Sequence, residues 1–306
     1  MRWGKRGRIY EPAGAAWWTR NGYAFNPTVE LIPDDRLRVY FAALDADNFG
    51  RIGYVELDAR DPAHILYETP EPVLDLGSLG AFDDSGVNPS CLIQIGERKC
   101  LYYIGWQRCE RVPYMLFSGL ATSVDGQVFE RQASVPVFDR TPGEPYSRSA
   151  PCVRAEAAGF RAWYWSCEGW SVEDGWVHYN NVIRHAESPD GVHWQSSDQV
   201  CLRPDGPDDY TLGRPWVIRD GDIYKMWYSI RSRARIGYRI GYAESPDGLT
   251  WTRKDDEVGI GPSEDGWDSE MICHPCVVDC NDRRYLFYNG NRHGLTGFGY
   301  AELEQD

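Results

Sequence analysis

The chain has 306 residues, and its 32 Lys+Arg against 46 Asp+Glu leave a formal net charge of −14, the wrong sign for a protein built to neutralise nucleic-acid phosphates. Its 42% hydrophobic and 25% charged residues make an ordinary globular composition rather than a disordered one. The apolar runs fall short of the roughly 18 residues of a membrane span, and the basic start Met1–Arg8 has no apolar stretch behind it. Neither a membrane anchor nor a secretory leader is expected, and nine scattered cysteines fit reduced thiols in a cytoplasmic protein.

In chain order, a short strand about Trp3 comes first, and then one pattern recurs five times. Its strand starts are Asn26-Pro27-Thr28-Val29, Asn88-Pro89-Ser90-Cys91, Ala150-Pro151-Cys152-Val153, Arg214-Pro215-Trp216-Val217 and His274-Pro275-Cys276-Val277. The prolines, at 27, 89, 151, 215 and 275, stand 62, 62, 64 and 60 residues apart. About thirteen residues after each comes an aromatic pair: Tyr40-Phe41, Tyr102-Tyr103, Tyr164-Trp165, Trp227-Tyr228 and Phe287-Tyr288. A third apolar run follows, and in three repeats it leads into Ser-x-Asp-Gly-x-x-aromatic, at Ser123–Phe129, Ser188–Trp194 and Ser245–Trp251. Asp-Gly between apolar runs signals a hairpin, because glycine accepts positive φ. Each unit therefore reads as four antiparallel strands, and five such units predict an all-β, five-bladed β-propeller forming one domain over 1–306. The last unit runs out where its fourth strand should begin. The spacing of Trp3 from Pro27 matches that of a fourth-strand aromatic from the next proline, so the N-terminal strand is expected to complete blade five and close the ring.

Strand direction then sorts the loops. With the inner strands starting on one face, the connections between second and third strands share that face, and the Asp-Gly hairpins lie opposite. Glu187, Asp190, Glu244 and Asp247 recur beside those hairpins, where turn chemistry accounts for them. On the first face the polar residues differ from blade to blade, as a site requires. Asp84 and Glu270 each stand five residues before their proline. With Asp83, and with Glu168 between Trp165 and Trp170, they are the candidate catalytic carboxylates for glycoside cleavage, which needs one acid and one base or nucleophile. Capping of loop N–H groups is the competing role for such residues. Asn26, Arg51, Asn88, Trp106, Arg148, Arg214, Arg231, His274 and Asn291 are the candidate substrate contacts. Arg231, Arg233, Arg235 and Arg239 crowd one loop of an acidic protein, which suits capture of a carboxylate or phosphate, with surface ion pairing as the alternative.

The five repeats, their x-Pro starts and the segment Ser263-Glu264-Asp265-Gly266-Trp267-Asp268-Ser269-Glu270-Met271-Ile272 resemble five-bladed propeller proteins related to glycoside hydrolase families 43, 32 and 130, in particular bacterial members found with polysaccharide or sugar-biosynthesis genes. The resemblance covers essentially the whole chain and implies a glycosidase-like enzyme acting on a small carbohydrate or sugar conjugate. Family 43 places a carboxylate just before the first inner-strand proline and a glutamate before the third, where this chain has Asn26 and Ala150. That residue scheme therefore does not carry over. Blades two and five are separated by blade one, so their carboxylates predict the wider, inverting arrangement. Phosphorolysis or other glycosyl transfer is the second expectation, and a non-catalytic sugar-binding propeller the third. No metal or cofactor is expected: Cys273 and Cys276 would point to opposite faces of a strand, and no dinucleotide or phosphate-loop fingerprint occurs.

Overall fold

A computed structural model describes residues 1–173, 175–205, 208–233 and 237–304. The regular structure of the described residues is almost entirely antiparallel β, with a four-residue helix and two short 3-10 turns as the helical elements. No helix is long and apolar enough to cross a membrane.

Strand β1 (Trp3–Tyr10) precedes the first group, β2 (Phe25–Ile32), β3 (Arg36–Leu44), β4 (Gly50–Asp58) and β5 (Ile65–Glu68). The second is β6 (Gly86–Ile95), β7 (Arg98–Arg108), β8 (Tyr114–Ser123) and β9 (Glu130–Arg131). The third is β10 (Arg148–Glu156), β11 (Gly159–Glu173), β12 (Trp176–Ser188) and β13 (Gln195–Leu202). The fourth is β14 (Asp209–Asp220), β15 (Ile223–Ser232), β16 (Tyr238–Ser245) and β17 (Thr252–Arg253). The fifth is β18 (Cys273–Cys280), β19 (Arg283–Asn289) and β20 (Phe298–Leu303). Strand β1 pairs antiparallel with β20, from Trp3 opposite Leu303 to Tyr10 opposite Phe298. Groups one and two touch through a parallel bridge, Gly50 to Gly86, and groups two and three through Phe117 to Arg148.

The x-Pro signature has a backbone cause. Proline has no N–H to give to the ladder, and each first strand shifts register at its proline: Phe25/Thr28, Pro89/Cys91, Ser149/Cys152, Gly213/Trp216 and Cys273/Cys276. Such bulges re-aim side chains. The residue before the proline is left-handed in four of the five, with φ of 54° at Asn26, 52° at Ala150, 41° at Arg214 and 56° at His274. Asparagine tolerates that region, whereas for the other three it is strain held in place by the surrounding sheets.

In the first three groups the aromatic pair ties the group to the next. Tyr40 donates to the Gly126 carbonyl (2.9 Å), Tyr102 to Gly191 (2.6 Å) and Trp163 to Gly248 (2.7 Å). Those glycines sit at φ of 79°, 77° and 74° in the Ser-x-Asp-Gly turns, where the serine hydroxyl accepts the glycine N–H. The third aromatic pair is thus Trp163-Tyr164, one residue earlier than the sequence pattern suggests. In four of the five pairs the second member is built into a carboxylate–cation unit: Tyr103 with Asp83 and Arg131, Tyr164 with Glu144 and Arg148, Tyr228 with Asp255 and Arg253, Tyr288 with Asp268 and Lys5. Phe41 has no hydroxyl and packs on Tyr10 and Trp18 instead.

Candidate functional site

A cavity of about 670 Å³ lies where the first strands of the groups begin. All five residues preceding the prolines, Asn26, Asn88, Ala150, Arg214 and His274, line it, so the five bulges form its floor. The wall on the side of groups one and two carries Tyr23, Phe25, Trp106 and Arg108. Tyr23 and Phe25 are stacked, 4.7 Å between centroids and 13° between planes. The long β11–β12 hairpin supplies Trp165, Trp170, Tyr179 and Asn181, with Tyr114 from β8 packed edge-on against Trp170. Groups four and five add Arg231, Tyr238 and His293.

The charge of this lining is one-sided. Among the described residues it contains no Asp or Glu, yet it carries Arg108, Arg214 and Arg231. Arg231 has no carboxylate partner among the described residues. Its guanidinium stands 5.5 Å from the Tyr238 ring and 5.9 Å from that of Tyr210, and the Tyr179 and Tyr238 hydroxyls are hydrogen-bonded to each other. Burial, with Arg214 nearby, pushes His274 down to about 3. Burial and the neighbouring Arg231 push His293 down to about 4. Both imidazoles are neutral at pH 7. Burial holds the Tyr114 and Tyr238 phenols well above their ordinary values, so they act as neutral hydrogen-bond donors. The cavity thus offers cations and neutral donors in a partly buried setting, where an anion is held more strongly than in bulk water.

Several polar atoms in the lining have no partner among the described residues: Oδ1 of Asn26, Asn88 and Asn181, Nε of Arg214 and Nε1 of Trp170. A buried polar atom without a hydrogen bond costs about 1–3 kcal/mol. Five of the ten such atoms among the described residues lie in this one lining.

Six of the nine expected substrate contacts line the cavity: Asn26, Asn88, Trp106, Arg214, Arg231 and His274. The other three are committed elsewhere. Arg51 is paired with Asp45 and Asp75, Arg148 with Glu144 and the Asp139 carbonyl, and the Asn291 carboxamide accepts from the Glu270 and Met271 N–H groups. Arg214 has a different role from the one expected. Its guanidinium donates to the carbonyls of His274 (2.7 Å), Pro275 (3.2 Å), Pro27 (3.0 Å), Asn26 (3.4 Å) and Ser90 (3.4 Å) and to Thr28 Oγ1 (2.8 Å). It ties the fourth group to the first, second and fifth along their shared centre. Of the other loop arginines, Arg233 pairs with Glu173 and Arg239 with Asp209, while Arg235 lies outside the described residues.

The four expected catalytic carboxylates are not in the lining, which corrects the expectation of one shared cavity. Asp83 is buried behind the wall, accepting from Tyr103 and Arg131 as one of the repeated tyrosine–carboxylate–cation units. Asp84 caps its own loop through the Gly80 N–H and the Ser85 hydroxyl. Glu168 is held by Arg184 and Arg203. Glu270 is exposed.

Sequence reasoning missed Tyr23, Tyr114, Tyr179, Asn181, Tyr238 and His293. The signal for Tyr179 and Asn181 lay in a β11–β12 hairpin of 15 and 13 residues, longer than its counterparts. His293 stands two residues beyond Asn291, the candidate contact on the same loop.

No family model matches the chain. It is 40% identical to "Uncharacterized protein Rv1502" of Mycobacterium tuberculosis (strain ATCC 25618 / H37Rv) over 304 residues, covering 99% of this chain and all of that one. Among solved structures, an RGII complex of BT0996 superposes with a TM-score of 0.76 at 18% identity, over 98% of this chain and 90% of the other. A structure from work on the GH130 mannoside phosphorylases, a family said there to contain glycoside hydrolases targeting β-1,2 mannosidic linkages in Candida mannan, gives 0.72 at 15% identity, over 99% and 93%. A family-43 glycoside hydrolase and the Bombyx mori GH32 β-fructofuranosidase BmSUC1 share the fold. These likenesses place the architecture among the glycosidase-like propellers, and the full-length match at 40% identity fixes the nearer kinship: the chain belongs to the family of the Mycobacterium tuberculosis protein Rv1502.

Proposed function

We propose that the chain is a five-bladed propeller, a single domain over 1–306 closed by β1, that takes a small anionic sugar conjugate into the cavity at its centre. The observation that carries this reading is Arg231, a guanidinium without a carboxylate partner among the described residues, in a lining that has no Asp or Glu among them. In a protein of net charge −14 such a lining is selective for anions. A cytoplasmic setting belongs to the reading and is supported by nine free cysteines, eight of them buried.

Inverting hydrolysis by Asp83, Asp84, Glu168 and Glu270 has no support from their positions. The reaction that suits the lining is glycosyl transfer to an anionic oxygen, with phosphorolysis as the simplest case. Phosphate arrives already ionised, so it needs cations to hold it rather than a carboxylate to deprotonate it. A phosphate oxygen bonds to the anomeric carbon, the glycosidic C–O bond breaks, and the leaving oxygen takes a proton from a phenol, which the phosphate's own proton replaces. Tyr179 and Tyr238 are the phenols beside Arg231. The same absence of carboxylates favours, as second reading, a propeller that binds its sugar without cleaving it.

Calorimetric titration of sugar phosphates, uronates and nucleotide-linked sugars beside their neutral parents tests the binding claim. Anionic members should bind, neutral parents should bind at least tenfold more weakly, and Arg231→Met should remove the difference, since a charge-assisted hydrogen bond contributes about 1.5–3 kcal/mol. Equal affinity for both kinds in the wild type would reject it. Phosphate-dependent release of sugar 1-phosphate, followed by phosphorus NMR, separates turnover from binding alone.

A further inference from the structure

The three unpartnered carboxamides of the cavity stand on different groups. Asn26 and Asn88 start β2 and β6, on the floor, and both precede prolines. Asn181 lies on β12, where its backbone N–H is accepted by Thr211 Oγ1. Thr211 is the register partner of Arg231, so Asn181 lies toward Arg231, whereas Asn26 and Asn88 belong to the first and second groups. Asn26 and Asn181 are 3% and 4% exposed, and none of the three carboxamides makes a hydrogen bond among the described residues through Oδ1. Water does not satisfy these oxygens, which are shielded from solvent, and a ring hydroxyl reaches them with a turn of the carboxamide about χ2, a broad torsion. At Asn88 and Asn181 packing does not explain it either, because an apolar side chain of the same size would fill the space without an unsatisfied atom; at Asn26 the positive φ also favours asparagine.

A carboxamide presents one acceptor and two donors in a plane, which is the complement of two neighbouring hydroxyls on a sugar ring. Trp170 Nε1, also unpartnered, adds a donor on the same hairpin. The aromatic faces of Tyr23, Phe25 and Trp106 suit the apolar face of a pyranose or furanose ring. We infer that Asn26, Asn88 and Asn181 form a hydroxyl-reading subsite, so that the ligand is a polyhydroxylated ring carrying its negative group on one side only, with that group at Arg231 and its free hydroxyls on the asparagines. This rests on the anionic reading of the cavity and adds what that reading lacks, the source of discrimination between one sugar and another. A site built to pair hydroxyls rejects analogues lacking them, because its own buried groups are then left unpaired.

Asn88 and Asn181 are the positions to change, because neither has the positive φ of Asn26 and leucine meets no backbone penalty there. Full-length protein carrying Asn88→Leu or Asn181→Leu is titrated with the 1-phosphates of glucose, mannose and galactose, with the three free hexoses, with propyl phosphate and with inorganic phosphate. The wild type should bind at least one hexose 1-phosphate about tenfold or more tighter than propyl phosphate. Each variant should lose about tenfold for that sugar and less than about twofold for the two hydroxyl-free phosphates. Should leucine prevent folding, judged by circular dichroism, alanine at the same positions gives the same comparison. Parallel losses for sugar and hydroxyl-free phosphates, or no loss for either, overturn the subsite. If the wild type binds free hexoses but no phosphate, and the variants weaken those, the subsite stands and the anionic reading falls. If the wild type binds none of these compounds, both fall.

Discussion

Replacing Arg214 by Met tests whether one buried guanidinium holds the groups together. The substitution keeps most of the aliphatic stem and removes only the head group. In the wild type that head group bonds four acceptors within 3.2 Å, on Thr28, Pro27, His274 and Pro275, and two more at 3.4 Å, on Asn26 and Ser90. Each well-formed acceptor left unpaired in the interior costs about 1 kcal/mol or more, so the four nearer ones together cost roughly 4 kcal/mol or more. Relief from burying a cation that has no carboxylate partner offsets part of this, as burial alone already lowers the Arg214 pKa. A net loss of about 3–4 kcal/mol follows, within the range for breaking a buried charged network. For a chain of this size each kcal/mol moves Tm by roughly 2 °C, so calorimetry should show a drop of about 6–8 °C. Arg214→Lys keeps the charge but has a single nitrogen that cannot reach three groups at once, and its loss should fall between wild type and Met. A Met variant within about 1 kcal/mol of wild type, or identical losses for Met and Lys, would falsify the tie.

Deletion of residues 1–12 removes β1 and leaves β20 as an open edge, which should destabilise the protein by several kcal/mol; unchanged melting would end the claim that β1 closes the ring. Asp83→Asn should lower stability by about 2 kcal/mol or more, because Arg131 and Tyr103 lose their ionised partner, whereas Glu270→Gln and Asp84→Asn should leave ligand affinity and any turnover within about twofold; a hundredfold loss in turnover, the scale of general acid–base catalysis, would restore those carboxylates to the chemistry. His185 is buried and accepts from Arg161 at Nε2 (2.9 Å), and burial followed by that arginine pushes its pKa down to about 4. The unfolded chain therefore takes up the proton first, and the stability His185 contributes is full above about pH 6.5 and is lost as pH falls toward 4. Between pH 7 and 5 urea unfolding should show about 1–2 kcal/mol of loss through this residue, less in His185→Gln; a variant with the same pH dependence as wild type would contradict the assignment.

The repeat was legible because its marks are backbone requirements. Proline forces a bulge at every first strand, and Asp-Gly permits the turn that receives the neighbouring aromatic, so both recur at fixed spacing. The carboxylates were misread for the opposite reason. Asp83, Glu144, Asp255 and Asp268 perform one job beside the repeated tyrosines, but they reach it from different loops. No common spacing marks them, so Asp83 looked unique and therefore catalytic. The floor asparagines were visible through their x-Pro position. Asn181 and Tyr179 were not, since only the unusual length of one hairpin carries them into the cavity. Arg214 was noticed for its charge, while its six acceptors are nearly all backbone carbonyls, which no sequence pattern reveals.

A crystal structure with the tightest-binding sugar phosphate or uronate tests the anionic reading of the cavity most directly. The account predicts the anionic group within hydrogen-bonding distance of Arg231, flanked by Tyr179 and Tyr238, with ring hydroxyls on Asn26, Asn88 or Asn181. An anionic group held elsewhere, away from Arg231, or a sugar bound outside the cavity beside Glu270 and Asp84, would contradict it.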